Sequence, residues 1–253
     1  MKPRTETEAV ADRYARRTAT DRYDPARPEV RHMLDERERA LRRCFARQGW
    51  QALDERRVLE VGCGAGGNLL RLLQMGFRAE YLAGVELLPG RFEAAREALP
   101  PAVRLFQGDA CVLDWPAGSV DAVLVATVFS SLLDDAFQQR LASALWRWIR
   151  PGGGVIWYDF TIDNPRNPDV RGVPLQRIAA LFPEGRLEHE RVTLAPPLAR
   201  LACRFHPGAY GVLNALPWLR THVLAWVGKP DNEAAAATVA RQRIASDPGR
   251  SPP

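Results

Sequence analysis

The sequence lacks the features that assign a chain to several specialised classes of protein. Its four cysteines are scattered and include no Cys-x-x-Cys pair, so neither a disulfide framework nor a cysteine-rich metal site is expected. No run of about 18 or more apolar residues occurs and the N-terminus has no apolar signal core, so we expect no membrane-spanning helix and a cytoplasmic location. His, Asp and Glu form no cluster with metal-ligand spacing, and we expect no metal site.

Lysine is almost absent, because Lys2 and Lys229 are the only two, and arginine supplies nearly all of the positive charge. The net charge of +5 and the isoelectric point of about 9.3 would ordinarily favour a nucleic-acid partner. The arginines, however, are spread along the whole chain instead of forming one stripe interleaved with aromatic residues. We therefore predict no nucleic-acid partner.

The most informative stretch of the chain is residues 57–68. The apolar, β-branched run Val58–Val61 ends in a glycine cluster, after which four leucines resume at helical spacing, so the pattern predicts a strand, a tight turn and a helix. Gly62, Gly64 and Gly66 allow positive φ and a close approach of a ligand to the main chain. Free N–H groups at the start of the helix can bind an acidic or polar group. Such a turn is typical of a site for a nucleotide-like cofactor.

The residues around the glycine turn favour one cofactor over another. Gly62, Gly64 and Gly67 satisfy the G-x-G-x-x-G dinucleotide pattern, which is a weak signal by itself. Glu60, two residues before the first glycine, would repel a pyrophosphate but attract the ammonium of an amino-acid moiety. This favours S-adenosylmethionine over NAD, and an NAD-dependent oxidoreductase stays as the alternative from another class of enzyme.

At this turn the sequence resembles the class I S-adenosylmethionine-dependent methyltransferases, in particular their UbiE-like members. The first motif of that family is an acidic residue followed by G-x-G-x-G, here Glu60, Gly62, Gly64 and Gly66. The resemblance extends over residues 56–160 as an ordered series of motifs. It implies an S-adenosylmethionine-dependent methyltransferase acting on a small-molecule acceptor.

The resemblance also implies the fold and its parts. The expected fold is α/β, with a Rossmann-like, mostly parallel sheet of seven strands in the order 3-2-1-4-5-7-6 and helices on both faces. A helical arm or lid at residues 1–55 would precede the methyltransferase domain at 56–229. That domain would carry an insertion at about 196–221, between the last two strands. Residues 230–253 would form a tail that is partly disordered.

The N-terminal arm divides into two parts. Residues 1–28 are polar, with Tyr14 and Tyr23 as their only aromatic residues. Many class I methyltransferases fold such a segment over the cofactor, so a lid and a disordered tail are both open. From Glu29 to Gln48 the apolar residues fall at helical spacing, which predicts an amphipathic helix that docks on the sheet and keeps its charges in solvent.

Further cofactor contacts follow from the ends of the next strands. Glu86 ends the second apolar run, where a carboxylate can accept both ribose hydroxyls. The resemblance places Asp109 at the amino group of adenine and Ala110 beside the ring. The other cofactor-binding positions that it implies are Cys63, Asn68, Leu87, Thr127 and Val128.

The acceptor would bind after the fifth strand. The polar loop at 161–172 lies at the carboxyl end of a central strand, where open α/β sheets bind ligands. The predicted acceptor-binding residues are Tyr158, Asn164, Arg166, Asn167 and Arg171. Relatives often carry a histidine after the fourth strand, but this chain has Ser130 and Ser131 there, so Asp159 and His206 are the candidate general bases.

The predicted reaction is a direct in-line methyl transfer to an oxygen nucleophile without a metal. Residues 157–160 with the following loop, and residues 193–197, look similar to bacterial methyltransferases associated with surface-polysaccharide assembly, which implies a sugar hydroxyl as acceptor. A quinone, a polyketide or another natural product is the alternative. Apolar and arginine residues mix in the insertion, so a peripheral membrane contact also stays open. The sequence does not specify the oligomeric state.

Overall fold

The computed structural model describes residues 5–16, 24, 26–165, 167–206 and 208–231. The strands are β1 Val58–Val61, β2 Leu82–Glu86, β3 Arg104–Gln107, β4 Val120–Ala126, β5 Ile149–Phe160, β6 Arg186–Leu194 and β7 Arg220–Gly228. The helices are α1 Glu6–Ala15, α2 Pro28–Arg47, α3 Gly67–Met75, α4 Pro89–Ala98, α5 Asp135–Trp148, α6 Leu175–Leu181, α7 Pro196–Phe205 and α8 Ala209–Asn214. The predicted tail at 230–253 lies almost wholly outside the described residues.

The strands form one seven-stranded sheet in the order β3-β2-β1-β4-β5-β7-β6, which confirms the predicted order. The first five strands pair in parallel, and β7 runs antiparallel to both β5 and β6. β1 has β2 on one side and β4 on the other. The chain therefore adds strands first on one side of β1 and then on the other side. Ligands of open α/β sheets bind at this point, beyond the carboxyl ends of the strands.

Two hydrophobic layers cover the sheet, as the continuous apolar runs of its central strands require. Leu59 and Val61 of β1 point to the layer that contains the apolar face of α5. Val58 points to the opposite layer, which contains residues of α2 and α3. Glu60 shares the side of Val58 by strand alternation, so its carboxylate lies under the α2 and α3 layer. The prediction that the segment from Glu29 to Gln48 docks on the sheet is confirmed.

The start of β5 is irregular. Hydrogen-bonded pairing already begins at Ile149, and the register shifts between the pairs Val120 with Ile149 and Ala122 with Gly154. The segment 150–153 is therefore a bulge within one strand. Gly152, with φ +72°, supplies the left-handed conformation that the bulge requires.

The insertion between β6 and β7 consists of α7, α8 and a short 3₁₀ turn. It packs on α2, since the Tyr210 hydroxyl donates to Glu36 Oε2 at 3.1 Å and the Tyr210 ring stacks on His32 with centroids 4.9 Å apart. Among the described residues, no helix is both long and apolar enough to cross a membrane.

Candidate active site

A cleft that is partly open to solvent lies beyond the carboxyl ends of β1, β2 and β4. Most of the side chains that line it are apolar, and only three are charged, namely Glu86, Arg91 and Asp109. Its floor comes from the strand ends and its cover from one side of α1. The lining residues are Thr7, Val10, Tyr14, Val61, Gly62, Val85, Glu86, Leu87, Leu88, Arg91, Gly108, Asp109, Ala110, Ala126, Thr127, Val128, Ser131, Leu132, Phe137 and Leu141.

The glycine turn shows which of its glycines the fold requires. Gly62, Gly64 and Gly66 have φ of +69°, +59° and +82°. A Cβ on Gly62 would lie 2.7 Å from Val128 Cγ2, and a Cβ on Gly66 would lie 2.7 Å from Leu99 Cδ1. Gly67, by contrast, has nothing within 4 Å of its Cβ position and no positive φ. The structure thus requires glycine at all three positions of the G-x-G-x-G pattern. It gives no steric reason for glycine at Gly67, which is the third glycine of the dinucleotide pattern.

Matched substitutions test this difference. We expect Gly62→Ala to destabilise the protein by about 1–3 kcal/mol and to impair cofactor binding, because alanine is strained at positive φ and its Cβ would displace Val128. Gly67→Ala is the control and is expected to be neutral or stabilising by up to about 1 kcal/mol. Urea unfolding and thermal shift with S-adenosylhomocysteine measure both effects. Equal losses in the two variants would contradict the steric argument.

Glu86 is the buried carboxylate at the end of β2, and its orientation is fixed by the turn. Its Oε2 accepts the Gly64 N–H at 2.7 Å and its Oε1 accepts the Leu88 N–H at 2.9 Å. A carboxylate offers about four lone-pair sites, so each oxygen retains capacity for a further donor. Because Glu86 lines the cleft, this arrangement fits two vicinal hydroxyls of a ribose.

Asp109 and Ala110 lie beside Glu86 in the cleft, at the end of β3. Asp109 caps a 3₁₀ turn, since its Oδ1 accepts the Cys111 N–H at 2.8 Å. Ala110 is buried and adds an apolar wall. A carboxylate next to such a wall suits an aromatic ring that bears an amino group.

Glu60 is not among the residues that line the cleft, and its contact with the cofactor stays a prediction. Its side chain is fully buried, Oε1 accepts a hydrogen bond from Asn68 Nδ2 at 2.5 Å, and Oε2 has no partner among the described residues. The Asn68 Oδ1 in turn accepts from an Arg37 guanidinium N–H at 2.6 Å. Burial raises the pKa of Glu60 to about 8. The polar chain from Arg37 to Glu60 thus supports the glycine turn from behind.

Three other predicted cofactor residues are structural parts of the turn. Cys63 is buried against Gly84 of β2, where an added Cβ would lie 2.8 Å from the cysteine Sγ. Gly64 and Gly66 shape the backbone and are not among the residues that line the cleft. Leu87, Thr127 and Val128 line the cleft, and their contact with the cofactor stays a prediction.

The end of β4 carries a strained residue. Thr127 has φ +55°, which is unusual for a residue other than glycine, and its N–H donates to the Tyr158 carbonyl at 2.7 Å. Strained backbone of this kind clusters at ligand sites, where the surrounding structure holds it. Thr127 and Val128 lead into the 3₁₀ turn Phe129–Ser131 and place Ser131 at the cleft.

Neither predicted general base lies at the cleft. Asp159 is 1% exposed, and its two oxygens accept the Ser130 N–H at 3.0 Å and the Phe160 N–H at 2.9 Å. Burial raises the pKa of Asp159 to about 7, but its contacts show a residue that holds the Phe129–Ser131 turn in place. His206 is exposed at the end of α7, where its Nδ1 accepts the Gly208 N–H at 3.0 Å.

The predicted acceptor residues are divided between two places. Tyr158 is buried on the α2 side, where its hydroxyl lies 2.9 Å from Thr193 Oγ1 and the Arg37 guanidinium lies 4.9 Å from its ring centroid. It lines a second crevice with Arg37 and Asn68, and that crevice shares Ala126 with the main cleft.

The polar loop packs beside the Phe129–Ser131 turn and does not line the cleft. The Arg171 N–H donates to the Ser130 carbonyl at 2.8 Å, and the Arg171 side chain forms an ion pair with Asp135. Asn164 and Asn167 close a turn within the loop, with the Asn167 N–H donating to the Asn164 carbonyl at 2.9 Å. Arg166 lies outside the described residues.

The first helix, α1, covers the cleft with Thr7, Val10 and Tyr14. Charged contacts hold it there, because Arg13 donates to the Ser131 carbonyl at 2.9 Å and Glu6 Oε1 accepts the Leu133 N–H at 2.8 Å. Arg16 adds an ion pair with Asp169 of the polar loop at 2.9 Å. The other tyrosine that the sequence proposes for a lid, Tyr23, lies outside the described residues.

Several site residues were not predicted from the sequence. Arg37 was assigned to a solvated helix face, yet it reaches Asn68. Arg91 lies over Gly64 and 5.3 Å from the Tyr14 ring centroid, at the boundary between turn and lid. The capping box of Thr5 and Glu8 is a sequence pattern that predicts the start of α1. Within the described part of the chain, no group of His, Cys, Asp and Glu residues is arranged to hold a metal ion.

Comparisons with known proteins agree with this geometry. Residues 58–153 match a family model described as a methyltransferase domain. A demethylmenaquinone methyltransferase of Deinococcus radiodurans is 32% identical over 126 residues, which are 49% of this chain and 50% of that protein. The chain spans about half the length of the curated relatives it matches.

Solved structures share the fold over most of the chain. The PH0226 protein of Pyrococcus horikoshii OT3 has a TM-score of 0.59 at 16% identity, over 83% of this chain and 97% of that one. An S-adenosylmethionine dependent methyltransferase of Mesorhizobium loti has a TM-score of 0.57 at 15% identity, over 81% and 99%. At these identities the likeness concerns the fold. Residues 58–153 of this chain are therefore similar to a methyltransferase domain, and the fold around them is the one that these solved structures share.

Proposed function

We propose that the protein is an S-adenosylmethionine-dependent methyltransferase that acts on a small-molecule acceptor. The observation that carries this proposal is the convergence of Gly62, Glu86 and Asp109, from the ends of three strands, on one cleft. The retained acceptor capacity of Glu86 fits the ribose, and Asp109 with Ala110 fits the adenine. The absence of a steric need for glycine at Gly67 argues against an NAD-dependent oxidoreductase.

When bound, S-adenosylmethionine supplies a methyl group that its sulfonium already activates. The residues of this chain then have to position the acceptor at near-attack distance and exclude water. Thr127, Val128 and Ser131 line the cleft at the end of β4, next to the α1 side chains Val10 and Tyr14. We assign the orientation of the acceptor to this region and the exclusion of water to α1.

The charged side chains that line the cleft favour an acceptor whose hydroxyl loses its proton easily. The charged residues of the cleft are Glu86, Arg91 and Asp109, and both carboxylates accept backbone N–H groups. A sugar hydroxyl ionises less readily than a phenol and depends on a well-placed general base. A phenol or quinol, whose pKa is near 10 like that of tyrosine, depends less on such a base.

We therefore favour a quinol or a related aromatic compound as acceptor. The curated relatives that the chain matches are demethylmenaquinone methyltransferases, which supports this choice. O-methylation of a sugar hydroxyl in surface-polysaccharide biosynthesis is the proposal of the sequence resemblance alone, and no contact of the described residues supports it.

The test has a binding step and a transfer step. We expect S-adenosylmethionine and S-adenosylhomocysteine at about a hundred times their dissociation constants to stabilise the protein by roughly 2.7 kcal/mol, and NAD to have no effect. Transfer of a radiolabelled methyl group is then measured to demethylated naphthoquinols, simple phenols, sugar nucleotides and lipid-linked sugars, in chelator. We expect product only with the aromatic acceptors. Stabilisation by NAD alone would refute the enzyme class, and product only with sugars would refute the acceptor.

A further inference from the structure

The insertion between β6 and β7 exposes most of the large apolar side chains that the described surface presents. Six such side chains are exposed among the described residues, and four of them lie in this insertion. They are Leu201 at 52%, Phe205 at 79%, Val212 at 72% and Trp218 at 73% exposed. Exposed apolar side chains concentrated in one short segment mark an interaction surface.

The charges of the insertion are of one sign. Residues 191–230 contain no Asp or Glu. Arg200 and Arg204 are exposed on α7, each directly before one of the exposed apolar residues Leu201 and Phe205. Neither arginine has an ion-pair partner among the described residues. An apolar surface with unpaired cations matches an anionic lipid interface, where aliphatic and aromatic side chains enter the boundary and arginines contact the headgroups.

The insertion projects from the edge of the sheet that carries the cleft. Leu194 at the end of β6 pairs with Arg220 at the start of β7, and His222 pairs with Phe160 at the carboxyl end of β5. The carboxyl ends of the parallel strands, with the cleft, lie at this same edge. A surface bound to α7 and α8 would therefore lie at the same edge of the sheet as the cleft.

We propose that Leu201, Phe205, Val212 and Trp218, with Arg200 and Arg204, form a docking surface for an anionic lipid bilayer. A second copy of the chain fits this surface less well, because self-association would bring the unpaired arginines of both copies together without a compensating carboxylate. The inference rests on the proposed function for its purpose, since docking would bring the cleft to a lipid-soluble acceptor.

The experiment is co-sedimentation of the full chain with vesicles of phosphatidylcholine, alone or mixed with phosphatidylglycerol. We expect binding to the mixed vesicles that weakens as salt is added. The double variant Leu201→Ser with Phe205→Ser should bind them about tenfold or more weakly. The double variant Arg200→Gln with Arg204→Gln should lose the salt-dependent preference for the anionic lipid. Val112→Ser is the matched control, because Val112 is 81% exposed outside the insertion.

Thermal stabilisation by S-adenosylhomocysteine is measured for every variant and is expected to stay at the wild-type value. This readout separates a failure of docking from a failure of the proposed enzyme, since vesicle binding requires no methyl transfer. Wild-type protein that does not bind the mixed vesicles would overturn the proposal, as would an equal loss in Val112→Ser. An oligomer that dissociates in the serine double variant, without vesicle binding, would also overturn it by assigning the surface to a second copy.

Discussion

Glu86→Ala is expected to weaken the binding of S-adenosylmethionine and S-adenosylhomocysteine by about 1.5–3 kcal/mol, or roughly 10- to 150-fold. The side chain is 4% exposed and carries two oxygens that already accept the N–H groups of Gly64 and Leu88. Removing it takes away the proposed acceptors of the ribose hydroxyls and leaves both backbone donors unpaired. Calorimetric titration of the purified protein measures the loss.

Two variants separate this binding role from a purely structural one. Glu86→Gln retains one side-chain acceptor and should lose less affinity than Glu86→Ala. Glu93→Ala removes an exposed carboxylate of the following helix α4, whose ion pair with Arg96 lies on the surface, and should bind the cofactor normally. Unchanged affinity in Glu86→Ala, with normal urea unfolding, would place the ribose elsewhere.

The parts of the site that the sequence predicted are local along the chain. Gly62 and Glu86 each lie at the end of an apolar run, where a strand ends and its side chains meet the ligand edge of the sheet. The strand order and the mostly parallel pairing followed from the family resemblance and are confirmed. In these cases each residue's position depends on its own segment and on the sheet.

The parts that escaped prediction depend on packing between distant segments. Arg37 lies on a helix whose charges looked solvated, and only its contact with Asn68, 31 residues later, shows a buried role. Asp159, predicted as a general base, lies at the end of β5, but its carboxylate accepts the Ser130 N–H and does not line the cleft. Hydrophobic periodicity carries no information on such contacts, since they arise when loops from different strands meet.

Deleting residues 1–16 is expected to weaken cofactor binding by about 1.5–3 kcal/mol, the contribution of one large buried apolar side chain. The deletion removes the cover that Val10 and Tyr14 give to the cleft and opens it to solvent. The loss should appear mainly as faster dissociation, because a cover that closes over a ligand delays its release. Stopped-flow displacement of S-adenosylhomocysteine measures this rate.

The control for that deletion removes residues 1–4 alone and keeps the capping box of Thr5 and Glu8 intact. Arg13→Ala gives an independent reading, since it removes the hydrogen bond to the Ser131 carbonyl but leaves Val10 and Tyr14 in the chain. If α1 is a cover, Arg13→Ala should speed dissociation by less than the full deletion, and deletion of residues 1–4 should leave the rate unchanged. If the full deletion releases the ligand at the wild-type rate, α1 packs beside the site without closing it. The acceptor itself would then have to exclude water from the cleft.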